Sequence, residues 1–246
     1  MVKRQNKGIG QVFLHDTQVI DDIISFSQID SDDVVVEIGC GKGILSKALA
    51  ATAKHLTIFE LDGYYLDHTE SVLKKKHSNV TYVQGDIRDA QFDQILSDKA
   101  RIVANIPYHI STEIIELIIK QRSHILDATL MVQKEYADRV LATPGTKSYG
   151  SLSIFAQFFL EVSPCFDVSR HSFYPVPKVD STVIYLAPRD TVLFDVDERL
   201  FFNIVHAAFW GRRKTLLNCL QKSPYTQLPP EIRQIPFYCL TYTFLK

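Results

Sequence analysis

Runs of β-branched and aliphatic residues recur along this chain, and amphipathic stretches fill the gaps between them. Val34–Gly39, Leu56–Asp62, Val80–Asp86, Arg101–Ile106, Thr129–Glu135, Val162–Val168 and Ser181–Ala187 read as strands. The first four are bounded by turn residues. ILSKALAATA follows the first run, YYLDHTESVLKKK the second and STEIIELIIKQ the fourth. In the last of these, Ser111 reads as a helix cap, and Ile114, Ile115, Ile118 and Ile119 share one helical face. Strands alternating with helices predict an α/β fold, a mostly parallel sheet covered on both sides. Only the loop SRHSFYPVPKVD separates the last two strands, so they are expected to pair as an antiparallel hairpin. Beyond Pro188 the text changes to one or two helices, DERLFFNIVHAAFWGRRKTLLNCL, and then to proline-broken aromatic sequence. The expected division is a sheet domain over 1–190 and a small helical appendage over 191–246.

Composition narrows the class. A chain of 246 residues, 46% hydrophobic and 22% charged, can bury a sizeable core. No apolar run reaches the length of a membrane span, and the start MVKRQNKGIGQ has no apolar signal region. A cytoplasmic protein without a membrane partner is therefore expected. The four cysteines are scattered without a C-x-x-C pair, and the eight histidines show no ligand spacing, so no metal is expected. The formal net charge is −1, which leaves any contact with nucleic acid to local patches.

The chemistry gathers at strand ends. EIGCGKG, Glu37–Gly43, closes the first strand, and its Gly39 and Gly41 let a ligand approach the backbone. Glu60 ends the second strand about twenty residues later, where an acid accepts hydrogen bonds from ribose hydroxyls. Asp86 ends the third, where its carboxylate can accept from an adenine amine while the Ile87 amide faces a ring nitrogen. All three lie on the carboxyl edge of one sheet, where open α/β folds bind ligands. The glycine spacing is not that of a pyrophosphate-binding loop, which favours S-adenosylmethionine over a nicotinamide dinucleotide. Seven strands with a terminal hairpin also form a methyltransferase-like arrangement.

The fourth strand end holds Asn105-Ile106-Pro107-Tyr108. The amino nitrogen of adenine is a poor nucleophile and must be held and drawn toward tetrahedral geometry. The Asn105 side-chain oxygen and the carbonyl of Ile106 or Pro107 can do this, on a turn that proline stiffens. The face of Tyr108 can stack on an extruded base, a task in which its hydroxyl hardly matters.

At this point the chain resembles the small-subunit ribosomal RNA adenine N6,N6-dimethyltransferases. GQVFLHD is similar to the family's N-terminal motif. EIGCGKGILS, FELD, QGDI and NIPYHIST stand in its cofactor and target positions. QKEYADRVLATPGTKSYGSLSIFAQ, FYPVPKVDSTVI and RRKTLLNCL match further stretches. The resemblance implies a Rossmann-like class I methyltransferase that dimethylates two adjacent adenosines near the 3′ end of small-subunit ribosomal RNA, during assembly of that subunit. It implies contacts to S-adenosylmethionine from Gln11, Val12, Leu14, Gly39, Gly41, Glu60, Asp86, Ile87 and Asn105. It also implies a target amine held by Asn105, Ile106, Pro107 and Tyr108, and a base stacked on Tyr108 and Phe173. Val12 departs from the family's usual Asn or His and keeps only backbone contact. The text after Leu220 reads as shortened.

Candidate RNA contacts are Lys3, Arg4 and Lys7, then Lys120 and Arg122, and above all Arg212, Arg213 and Lys214. Trp210 reads as a core anchor. The expected partner is ribosomal RNA in a pre-small subunit, bound by a monomer. The alternatives on this fold are a large-subunit RNA methyltransferase that confers antibiotic resistance and a non-catalytic RNA-binding or transcription factor.

Overall fold

A computed structural model describes residues 12–96, 98–191, 197–211 and 214–225. In chain order the strands and helices are β1 (Phe13–Leu14), α1 (Thr17–Ser27), β2 (Val34–Ile38), α2 (Ile44–Thr52), β3 (His55–Glu60), α3 (Gly63–Leu73), β4 (Val80–Gln84), α4 (Phe92–Ile95), β5 (Ala100–Asn105), α5 (Ser111–Lys120), β6 (Ile125–Gln133), α6 (Lys134–Val140), α7 (Ser151–Phe159), β7 (Leu160–Val168), β8 (Phe173–Tyr174), β9 (Ser181–Pro188), α8 (Glu198–Ala208) and α9 (Leu216–Lys222). One sheet has the order β4-β3-β2-β5-β6-β9-β7. Its first five strands run parallel, and β9 pairs antiparallel with both β6 and β7. The chain leaves β2 toward β3 on one side and returns to β5 on the other. Such a reversal opens a crevice at the carboxyl ends of the strands.

All seven expected strands are present. The fifth begins at Ile125, not Thr129, and stops at Gln133 because Lys134 and Glu135 already open α6. Ser111 is not a side-chain cap. It is the first helical residue of α5, and its hydroxyl donates to the Tyr108 carbonyl (3.2 Å). The four isoleucines of α5 are buried as their spacing requires.

Several elements were not anticipated, among them α4, α6 and α7, and, nearer the cavity, α1 and the pair β1–β8. In α1, Asp16 accepts from the Gln18 amide at the N-terminus, and Val19, Ile20 and Ile23 are buried. The pair β1–β8 matches Leu14 with Phe173 and Phe13 with Tyr174. The Ser172 hydroxyl fastens it further by donating to Asp16 (2.9 Å).

Two compact units emerge. One holds the chain to Asp138 together with Leu160–Asp190, and the other combines Arg139–Phe159 with the chain after Asp190. This division follows proximity in space, not chain order. In the second unit Ser153 and Gln157 of α7 donate to the carbonyls of Arg139, Val140 and Ala142. Phe155 and Phe158 of the same helix meet Phe202 and Phe201 of α8, with ring centroids 4.6 and 4.2 Å apart. Trp210 is not a core anchor. It is 42% exposed, and the Lys214 ammonium lies 3.9 Å from its ring centroid.

At the amino-terminal end of the sheet, Arg101 on β5 faces Asp127 on β6 in register and forms an ion pair with it. Arg101 Nε also lies 3.0 Å from Asp33, and the Tyr185 hydroxyl donates to Asp127 (3.2 Å). Removing one member of such a buried cluster strands the others. Asp127→Ala is expected to cost about 3 kcal/mol of unfolding free energy. Tyr185→Phe should cost about 1 kcal/mol. Urea titration of both variants checks this, and equal losses would contradict it.

Candidate functional site

The carboxyl ends of β2, β3, β4 and β5 converge on one cavity of about 880 Å³. Val12, Leu14, Gly39, Gly41, Glu60, Asp86, Ile87, Asn105, Ile106, Pro107 and Tyr108 all line it. The loop after β2 is built on left-handed glycines. Gly41 has φ +50°, and a Cβ there would lie 3.3 Å from the Phe13 ring. Gly43 has φ +75°, and a Cβ would meet Thr69 Oγ1 at 2.8 Å. Neither position admits a side chain without strain.

Glu60 ties this loop to the next one. One carboxylate oxygen accepts from the Gly41 amide (3.1 Å) and the other from the Asp62 amide (3.0 Å). At 7% exposure the residue is buried, not an open strand end. The Cys40 thiol lies 3.7 Å from the same carboxylate, and burial keeps that thiol far above its ordinary pKa, hence neutral.

Asp86 caps the short turn Ile87–Asp89 by accepting from the Arg88 amide (2.9 Å). The Arg88 guanidinium also chelates its two oxygens. That contact holds the Asp86 carboxyl below the usual carboxylate range. Three N–H groups of Arg88, its amide, Nε and Nη2, make four contacts to the two oxygens, so a further amine competes with Arg88. Among the described residues, the Ile87 amide next to it has no protein acceptor.

Glu37, one residue before the end of β2, also reaches the cavity. It is 1% exposed and its Oε2 has no hydrogen-bond partner. Burial pushes its pKa up to about 8; the Ser46 hydroxyl opposes the rise and the Glu60 charge adds to it. The Asn105–Tyr108 turn closes the cavity from the β5 side. The Ile106 amide donates to the Met131 carbonyl and the Ile110 amide to the Pro107 carbonyl, both at 3.1 Å.

The family model described as ribosomal RNA adenine dimethylase matches residues 2–235. The chain belongs to this family. It is 39% identical over 222 residues to the ribosomal RNA small subunit methyltransferase A of Clostridium botulinum (strain Kyoto / Type A2), covering 88% of this chain and 79% of that protein. The protein of the same name from Shouchella clausii (strain KSM-K16) is 39% identical over 221 residues, covering 87% and 74%. Among solved structures, a dimethyladenosine transferase from Plasmodium falciparum superposes with a TM-score of 0.76 at 30% identity, covering 93% of this chain and 87% of that one. The 23S rRNA methyltransferase ErmE gives 0.70 at 27%, covering 86% and 84%.

Several expected dimethylase residues stand outside the cavity. Phe173 is fully buried against Leu14 in the core, so as placed its ring offers no face to a base. Gln11, Arg212 and Arg213, like Lys3, Arg4 and Lys7, lie outside the described residues. Lys214 rests over Trp210, and the Arg122 guanidinium donates to the Ile119 carbonyl at the end of α5. Other residues enter the site unannounced. Phe13 sits inside the quoted GQVFLHD motif and packs over Gly41. Arg88 follows Asp86 by two positions, and Glu37 opens the glycine motif. Hydrophobicity and charge were visible for each, but not the packing that gives them work.

Glu37 supplies a pH test. Its folded pKa lies above the unfolded value of 4.5, so its stabilising contribution is complete below about pH 4.5 and fades as pH rises toward 8. Across that window the folded protein should lose on the order of 5 kcal/mol through this one group. Glu37→Gln should flatten this part of the melting-temperature profile and melt above the wild type at pH 8. Parallel profiles for the two proteins would exclude the assignment.

Proposed function

We propose that this chain uses S-adenosylmethionine to dimethylate the N6 amines of two adjacent adenosines near the 3′ end of small-subunit ribosomal RNA, during assembly of that subunit. The observation that carries the proposal is the Asn105–Tyr108 turn, which opens on the same cavity as Gly41, Glu60 and Asp86. The 39% identity to proteins named for the small subunit supports this substrate over the large-subunit one.

The cavity suits the cofactor. Its glycine loop turns on left-handed residues packed closely against Phe13 and Thr69, and the unpaired Ile87 amide and Glu37 Oε2 offer polar contacts. Gly39, Gly41, Val12 and Leu14, joined by Gln11, would hold the methionine end. Glu60 keeps lone pairs for the ribose hydroxyls, and Asp86 with Ile87 would read the adenine. When bound, the cofactor supplies an electrophilic methyl on a sulfonium that is already a good leaving group.

The protein's own contribution is placement. Asn105 accepts one N–H of the target amine through its side-chain oxygen. The carbonyl of Ile106 or Pro107 accepts the other; that of Pro107 already accepts from the Ile110 amide and keeps one lone pair. Pro107, with φ −56°, keeps the two acceptors in register. Tyr108 gives the base a face to stack on. The catalytic domain is proposed to lie within residues 1–190, less the segment Arg139–Phe159 that groups with the other unit, and 191–246 to contact RNA, with Arg212, Arg213 and Lys214 on phosphates. The enzyme is proposed to act as a monomer in the cytoplasm.

Mapping of methylated adenines on purified ribosomal subunits tests the substrate. Two adjacent dimethyladenosines on the small subunit are expected, and methylation of the large subunit instead would reassign the protein. Asn105→Ala should slow single-turnover transfer about 100-fold, the scale of losing one aligned polar contact at a reacting centre. Glu60→Ala should weaken cofactor binding by about 1–3 kcal/mol. Because Glu60 also holds two amides, the same variant should melt lower. Calorimetry and thermal melting read the two effects separately.

A further inference from the structure

Ser181, the first residue of β9, is fully buried and lies outside the cavity lining. Its backbone is clamped on both sides, opposite Gln133 of β6 and Val168 of β7. Its hydroxyl lies 3.1 Å from the Tyr108 hydroxyl, although the two residues are 73 positions apart. At the other end of Tyr108, the Ser111 hydroxyl donates to its carbonyl (3.2 Å). The Ile106 and Ile110 amides fix the backbone on either side (both 3.1 Å). Tyr108 is therefore held at the backbone and at the tip of its ring. A ring tethered only by its backbone turns about two side-chain dihedrals, and that freedom must be frozen when a base arrives. A ring also pinned at its hydroxyl presents its plane beforehand.

We infer that Ser181 is a positioning residue for methyl transfer: its hydrogen bond to Tyr108 fixes the plane on which the target adenine stacks. The inference rests on the stacking role proposed for Tyr108. It also gives work to a hydroxyl that stacking alone leaves idle. Ser181 touches neither base nor cofactor and acts through Tyr108. Its strand pairing holds it in a rigid part of the sheet, which suits an anchor better than a loop would.

The test uses the full chain and intact small subunits, with Ser181→Ala, Ser181→Thr, Tyr108→Phe, Tyr108→Ala and the Ser181→Ala/Tyr108→Phe double variant. Single-turnover rate, cofactor affinity and melting temperature are read on the same preparations. Ser181→Ala and Tyr108→Phe should each lower the rate at saturating subunit about 3- to 10-fold, the scale of one neutral hydrogen bond. The double variant should be no slower than either single one, because both remove the same bond. Ser181→Thr keeps the hydroxyl and should recover most of the rate, and cofactor affinity should stay constant throughout. Ser181→Ala that melts lower yet transfers normally per folded molecule would overturn the inference, as would additive losses in the double variant. Loss of rate in Tyr108→Ala without loss in Ser181→Ala would remove Ser181's role and leave the stacking role standing. Normal transfer by Tyr108→Ala would remove both.

Discussion

The carboxylate of Glu60 is the contact on which the cavity depends. A parallel sheet delivers its strand ends to one edge but does not fix the loops beyond them. Glu60 does so by taking the amides of Gly41 and Asp62, one on each oxygen. Backbone bonds continue the lacing, from the Gly39 amide to Phe59 (2.8 Å) and from the Gly85 amide to Glu60 itself (3.1 Å). Three consecutive strand ends thus become one floor. A hydrogen bond to a charged acceptor is stronger than a neutral one, and here it carries the β2–β3 pairing past the end of the ladder and into the loops.

Besides Asp62, which caps α3 by accepting from the Tyr64 amide, three acids surround this small space, and each is accommodated differently. Glu60 takes backbone amides. Asp86 takes a guanidinium. Glu37 has an oxygen without a partner, and burial keeps it protonated well above the ordinary carboxylate range. A cavity of about 880 Å³ cannot hold three uncompensated negative charges, because like charges in a poorly solvated site raise one another's pKa. The outcome is one acid tied to the frame, one paired with a neighbour, and one whose proton burial retains.

Much of this architecture was legible in the text of the chain. Seven strands, three of the helices between them and the antiparallel ending followed from β-branched runs and helical spacing, which report burial directly. The strand-end residues were legible because the fold sends them all to one edge. What escaped depends on contacts distant in sequence. The two-residue strands Phe13–Leu14 and Phe173–Tyr174 are too short for any periodicity, yet their pairing decides that Phe173 goes inward. The cap at Asp16 and the stripe Val19, Ile20, Ile23 were readable signals of α1, masked by a motif that drew attention to Gln11 and Leu14. Trp210 looked like a core residue by size alone, and Lys214 takes its face instead. Nothing in the local sequence around Ser181 points to Tyr108.

The position of β9 has a consequence for how the chain is made. Among the described strands of the sheet it is the last to leave the ribosome, yet it sits inside the sheet, between β6 and β7. Until it arrives, β6 shows an open hydrogen-bonding edge, and β7 has no strand to pair with. At ordinary rates of synthesis the chain spends roughly several seconds between completing β6 and starting β9. For that interval the nascent protein carries an unpaired edge of the kind that captures foreign strands. Its cofactor side, built from β2 to β5, can form while the wall behind Tyr108 has yet to be translated.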